Sequence, residues 1–178
     1  MQLTYFGANG WLLELAGQRL LLDPWLVGPL RFGGAGWLFE GRLPREWPIP
    51  GDLDGLLLSQ GLPDHAHPAT LERLPKELPV IGSAAAVQQA RRFGFTQTDT
   101  LRPGERLQRG SLEIQATAGA PVPQVENGYL LRGSGESLYV EPHGFLDPAV
   151  PAEALTAVIT PVMDLGLPVA GAFVKGRS

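Results

Sequence analysis

Residues 56–65 read Leu56-Leu57-Leu58-Ser59-Gln60-Gly61-Leu62-Pro63-Asp64-His65. Apolar side chains at consecutive positions suit a strand covered on both faces, so Leu53–Leu58 is expected to be a buried strand. Gly61 and Pro63 break it. Just beyond the break stand Asp64, His65 and His67, and the chain's third histidine is His143. A rigid strand that runs into a polar loop is where a scaffold presents side chains to a cleft. In an extended segment the adjacent Asp64 and His65 diverge, whereas in a turn both can converge on one ion. The plainer alternative is that Asp64 caps the following helix and His65 lies on the surface.

Upstream of this stretch, Leu3–Phe6, Trp11–Leu15 and Arg19–Leu22 read as a meander of three strands, with a two-residue turn at Gly17-Gln18 and a stop at Asp23-Pro24. Residues 24–52 show no period of 2 or 3.6 and carry Trp25, Trp37 and Trp47 among many Gly and Pro. A loop of that length is expected to be functional, here as a lid, or else its Trp side chains fill a satellite core. Downstream, a helix is expected from Ala69 to Leu74 and a strand over Pro79–Ile81. Ser83 should cap a helix that runs to Phe93 and stops at Gly94. Thr96–Leu101, Glu105–Gln108, Leu112–Thr117, a hairpin of Gly128–Arg132 with Ser137–Glu141, and Ala154–Thr160 read as strands. This order predicts an α/β protein of two sheets covered by helices rather than one doubly wound sheet.

Bulk properties narrow the function classes. The chain has 178 residues, one domain's worth, with 44% hydrophobic and 18% charged residues. The formal net charge is −4, and no basic stripe offers itself to a polyanion; Arg91-Arg92 reads as a solvated helix face. Nucleic acid is therefore not expected as a partner, and no apolar run approaches the roughly 20 residues that cross a bilayer. Cysteine is absent, so a metal site here must use His, Asp or Glu. No leader is evident before the first strand, and a cytoplasmic location is expected. Gly33-Gly34-Ala35-Gly36 has no Lys behind it and is a poor phosphate cradle. Ser59 lacks the Gly-x-Ser-x-Gly setting of a nucleophile.

The stretch from Leu56 to His65 resembles the metallo-β-lactamase-fold signature, in which an apolar strand and a Ser or Thr precede His-x-His-x-Asp-His. Leu20-Leu21-Leu22-Asp23-Pro24 is similar to the strand-end Asp that precedes it in that family, and Asn127–Tyr129 through Glu141-Pro142-His143-Gly144 to its later hairpin. The matching order covers roughly residues 1–165 and is most similar to the ascorbate-6-phosphate-lactonase-like branch of metal-dependent hydrolases. The resemblance implies a four-layer αββα sandwich with its site at one edge of the two sheets. The family's last His, closing helix and closing strand would fall beyond Ser178, so the chain reads as a truncated member, with a sheet edge that would invite a homodimer.

The departures from the family pattern bear on the chemistry. Gln60 and Leu62 stand where the resemblance implies the first two His, and Ala120 near where it implies a third. Leu cannot ligate a metal and Gln is a weak ligand for zinc. A single site of Asp64, His65 and His143 remains, with His67 or Glu141 as substitutes and Asp23 as support behind it; Asp64 and Asp23 are the carboxylates expected to serve catalysis. Asp23 has a plainer reading too, as a strand terminator before Pro24. The expected cofactor is one divalent metal, zinc before iron or manganese, or none. The expected function is hydrolysis of a small ester, lactone or phosphoester. The rival reading is a non-catalytic binding or scaffold protein that kept the fold after losing its metals.

Overall fold

The side chains of Leu56, Leu57 and Leu58 point alternately into two different hydrophobic cores, and that alternation organises the molecule. The structure is a computed structural model that describes residues 1–32, 40–120, 126–141, 143–150 and 154–161. Its elements in chain order are β1 (Gln2–Gly7), β2 (Gly10–Leu15), β3 (Gln18–Leu22), β4 (Leu30–Arg31), β5 (Glu40–Gly41), β6 (Gly55–Leu58), α1 (Pro68–Arg73), β7 (Val80–Gly82), α2 (Ala84–Arg92), β8 (Thr98–Thr100), β9 (Arg106–Arg109), β10 (Leu112–Ala118), β11 (Asn127–Gly133), β12 (Glu136–Val140) and β13 (Ala157–Ile159).

The first sheet has the order β1-β2-β3-β6-β7-β8, and the second β13-β12-β11-β10-β9. In the first, β1, β2 and β3 form the expected antiparallel meander, and β6, β7 and β8 add in parallel. The second is antiparallel except where β13 runs parallel to β12. Leu13, Leu20, Leu22, Leu57 and Ile81 from the first sheet meet Ile114, Ala116, Tyr129, Leu131 and Val140 from the second in the core between the sheets. Leu12, Leu21, Leu56, Leu58 and Val80 face the other way, packing with Leu71 of α1 and with Ala86 and Ala90 of α2. A helical layer, a mixed sheet and a second sheet are thus stacked, as the α/β reading expects. Among the described residues no helix covers the far face of the second sheet. None of their helices is long and apolar enough to cross a membrane.

Local chemistry explains the element ends. Ser83 caps α2 by accepting from the Ala86 N–H at 3.4 Å. The β11–β12 hairpin turns on Ser134 and Gly135, both left-handed at φ 52° and 76°, the geometry that matches strand twist in a two-residue loop. The β2–β3 turn is shifted by one residue from expectation: Ala16 and Gly17 take the positive φ values, and Gln18 already pairs with Leu15.

The region 24–52 also differs from its reading as a patternless loop. Leu30–Arg31 and Glu40–Gly41 pair as two short strands. Trp25 is buried with its indole N–H on the Gly28 carbonyl, and Trp47 packs edge-on against Phe6 with its N–H on the Phe6 carbonyl. Trp47 packs against the core on the helical side of the first sheet, and Trp25 is buried; Trp37 and the stretch Gly33–Gly36 lie outside the described residues.

Candidate metal centre

The ends of β3 and β6 lie side by side because Leu22 pairs with Leu57, and this puts Asp23 beside Ser59. Asp23 adopts a left-handed backbone at φ 39°, a strained conformation that Asp tolerates better than most residues. The turn aims its carboxylate back over the β6 end. Oδ1 accepts the Ser59 N–H at 2.8 Å, and Oδ2 accepts the Ser59 hydroxyl at 2.5 Å and His65 Nδ1 at 2.8 Å. His65 and Ala66 N–H groups both close on the Leu62 carbonyl, so residues 62–66 form a tight turn that brings Asp64 and His65 to one side. Asp23 is therefore more than a strand stop. Its carboxylate also holds the His65 ring from behind. Ser59 lies on that same rear side, fully buried, which agrees with its poor reading as a nucleophile.

The front nitrogen of His65, Nε2, lies 3.3 Å from Asp64 Oδ2 and 3.0 Å from Asn9 Nδ2. Rotating the Asn9 amide by half a turn presents its oxygen to a protonated Nε2 or its nitrogen to a lone pair, so Asn9 accommodates both states of the ring. His143 arrives from the turn after β12, its ring centre 5.1 Å from that of His65. Asp64, His65 and His143 each offer one ligating atom, and these atoms lie within 4.8 Å of one another. His143 is the outward member, with 32% of its side chain exposed against 0% for His65.

Electrostatics follow from this packing. Burial works against protonation of His65, but Asp23 and Asp64 outweigh it and push the pKa up to about 10. Burial alone would raise the Asp64 carboxyl; the His65 hydrogen bond and charge, with His143 behind, outweigh it and hold the group below the usual carboxylate range.

One residue of the cluster escaped the sequence reading. Glu126, whose side chain is fully buried, stands behind His143 as Asp23 stands behind His65, with Oε1 2.5 Å from His143 Nδ1. The same oxygen accepts from Gln60 Nε2 at 3.0 Å, and Oε2 accepts the Ala120 N–H at 3.2 Å. Gln60 and Ala120, two of the three positions where the family pattern implies a histidine, thus both serve this carboxylate. An isolated Glu between Val125 and Asn127 carries no pattern that marks it from sequence.

The two substitutes lie elsewhere. His67 caps α1: its Nδ1 faces the Thr70 N–H and hydroxyl, and its Nε2 faces the Pro29 carbonyl at 3.2 Å. Burial lowers its pKa, as suits a neutral ring with both nitrogens satisfied. Glu141 is buried and occupied by the Phe145 N–H and the Thr160 hydroxyl. Neither joins the cluster.

The three grouped side chains fit a divalent metal by an observation independent of resemblance. Asp64 Oδ1 is buried and receives no hydrogen bond, so a buried acceptor is left without a donor. With neutral rings the cluster holds the carboxylates Asp23, Asp64 and Glu126 around two imidazoles, a charge balance that a dication improves. A carboxylate behind each ligating His also fixes its tautomer and raises its basicity.

The family model of the β-lactamase superfamily domain matches residues 2–178. A metal-dependent hydrolase of Cereibacter sphaeroides is 27% identical over 150 residues, covering 78% of this chain and 61% of the relative. Among solved structures, an isothiocyanate hydrolase from Delia radicum gut bacteria superposes with a TM-score of 0.64 at 20% identity, over 79% of this chain and 62% of that one. A possible metal-dependent hydrolase from Veillonella parvula superposes with a TM-score of 0.62 at 18% identity, over 78% and 61%. At these identities the two superpositions speak for the fold. The chain spans less than two thirds of the length of each of these relatives.

Proposed function

This chain belongs to the β-lactamase superfamily, and from that premise we propose that it is a divergent metal-dependent hydrolase holding one divalent metal on Asp64, His65 and His143. The carrying observation is the convergence of their ligating atoms to within 4.8 Å from two distant parts of the chain. A divalent ion there supplies Lewis acidity, which makes water a nucleophile near neutral pH and polarises a carbonyl or phosphoryl oxygen. The protein's own contributions are positional. Asp23 holds His65 Nδ1, so Nε2 carries the lone pair that binds. Asp64 brings the negative charge. His143, the exposed member, forms the solvent-facing side of the site.

The substrate class in this reading is a small ester, lactone or phosphoester, and the branch it proposes is the ascorbate-6-phosphate-lactonase-like group. Zinc is the expected metal because two imidazoles and a carboxylate are a donor set typical of catalytic zinc sites. A second metal is not expected, since Gln60 and Ala120 are engaged with Glu126 and Leu62 has no ligating atom. The reading further takes the protein to be cytoplasmic.

Elemental analysis of the purified protein, with Asp64→Asn and His143→Gln variants alongside, tests this. One equivalent of metal in the parent and a clear loss in both variants is the expected result. None, together with unchanged thermal stability in chelator, would favour the rival reading of a scaffold without a metal, and two equivalents would overturn the single-site reading.

A further inference from the structure

We propose that Glu126 is the positioning residue of His143: it holds the Nδ1 proton and thereby presents Nε2 to the site. The inference rests on the metal reading for its consequence, but not for its geometry. A buried carboxylate is costly unless every lone pair it exposes is met. Glu126 meets three donors: His143 Nδ1 at 2.5 Å, Gln60 Nε2 at 3.0 Å and the Ala120 N–H at 3.2 Å. Two of them come from segments that sequence resemblance assigns to metal binding, and they bind this side chain instead.

The strand ends are shaped to admit it. A Cβ on Gly119 would sit 2.7 Å from Glu126 Cγ and 2.9 Å from its carbonyl oxygen, so residue 119 has room for hydrogen alone while Glu126 stays where it is. The Gly119 N–H also donates to the Glu126 carbonyl, tying the two segments together at the mouth of the second sheet. A group of this kind would be wasted as mere filling, because an apolar residue of similar volume would occupy the space without burying charge.

The chemical consequence lies in the tautomer. A neutral imidazole carries one ring proton, and the hydrogen bond made by one nitrogen decides which nitrogen keeps the lone pair. In free histidine the proton prefers Nε2. A carboxylate against Nδ1 reverses that preference and leaves Nε2 as a ligand or proton acceptor. The pair Glu126–His143 thus repeats the pair Asp23–His65, one pair at the rim and one buried, and Asp64 offers an oxygen within 4.8 Å of the ligating atom of each ring.

The test is the 15N spectrum of histidine-labelled, metal-free protein of full chain length, at a pH where the spectrum shows the His143 ring neutral, with the His143 signals assigned from the His143→Gln variant. The parent should show His143 with its proton on Nδ1, and Glu126→Gln should shift it toward the Nε2–H form. Zinc titration of the same samples should show affinity about 10- to 100-fold weaker in Glu126→Gln. An Nε2–H ring in the parent, or no change of tautomer in the variant, overturns the proposal. The parent spectrum stands even if the variant fails to fold. A parent that shows the Nδ1–H form but takes up no zinc leaves the role of Glu126 intact and defeats the metal reading alone.

Discussion

Asp23 Oδ2 lies 2.8 Å from His65 Nδ1, and both side chains are sealed from solvent. The pair joins the end of β3 to the turn after β6, so the geometry of the candidate centre and the stability of the fold share one contact. The Ser59 N–H and hydroxyl lean on the same carboxylate. Replacing Asp23 therefore disturbs folding and metal binding together.

Asp23→Asn is expected to destabilise the protein by roughly 3–5 kcal/mol, the usual loss when one member of a buried charged pair is removed. Urea unfolding of chelator-treated samples measures it. Zinc affinity should also fall by about 10- to 100-fold, because the ring loses the acceptor that fixes its tautomer. A variant as stable as the parent, with unchanged zinc affinity, would show that the contact has no such role.

The raised pKa of His65 makes stability depend on alkaline pH. In the unfolded chain the ring titrates near the ordinary 6.5, and in the fold at about 10. The folded state thus binds the extra proton between these values. Its contribution is complete below pH 6.5, declines above it, and is gone once the pH passes about 10. Metal-free protein should lose unfolding free energy steadily across that window, and His65→Gln should flatten the slope. Zinc competes with the same proton, so its apparent affinity should rise over the same range. An affinity independent of pH would contradict the placement of the metal on His65.

His67→Ala separates structure from site. The variant loses the cap of α1 and the bond to the Pro29 carbonyl. A cost of about 1–2 kcal/mol is expected from a lost cap and buried hydrogen bond. Metal stoichiometry should not change. A variant that no longer takes up metal yet stays folded would return His67 to the ligand set.

Leu57→Ala probes the core between the sheets, where Leu57 is completely buried among Leu22, Ile81, Ile114 and Tyr129. The expected loss is about 2–5 kcal/mol, from the transfer term and the cavity left behind. Thermal or urea unfolding against a substitution at the surface-facing Arg106 reads it out. A loss below about 1 kcal/mol would mean that the site collapses freely, contrary to the packing of two sheets on this residue.

Much of the architecture is legible in the sequence because it depends on local pattern. Consecutive apolar residues at Leu56–Leu58 need cover on both faces whatever the fold. Ser83 can cap a helix without help from distant segments, and the Gly-containing turns mark the hairpins. The pairing of Asp64 with His65 is likewise written in their adjacency, once Gly61 and Pro63 force a turn. Tertiary structure decided the remainder. Whether Asp23 ends a strand or supports His65 depends on β3 lying parallel to β6, and no short-range signal states that register. His143 and His67 are equally isolated imidazoles on paper; the parallel β12–β13 edge and the turn beyond β12 bring one to the cluster, while Trp25, Thr70 and Pro29 hold the other away from it. Glu126 had no sequence signal at all, because the worth of a buried carboxylate lies wholly in the donors around it, and Gln60, Ala120 and His143 become its neighbours only when the two sheets close.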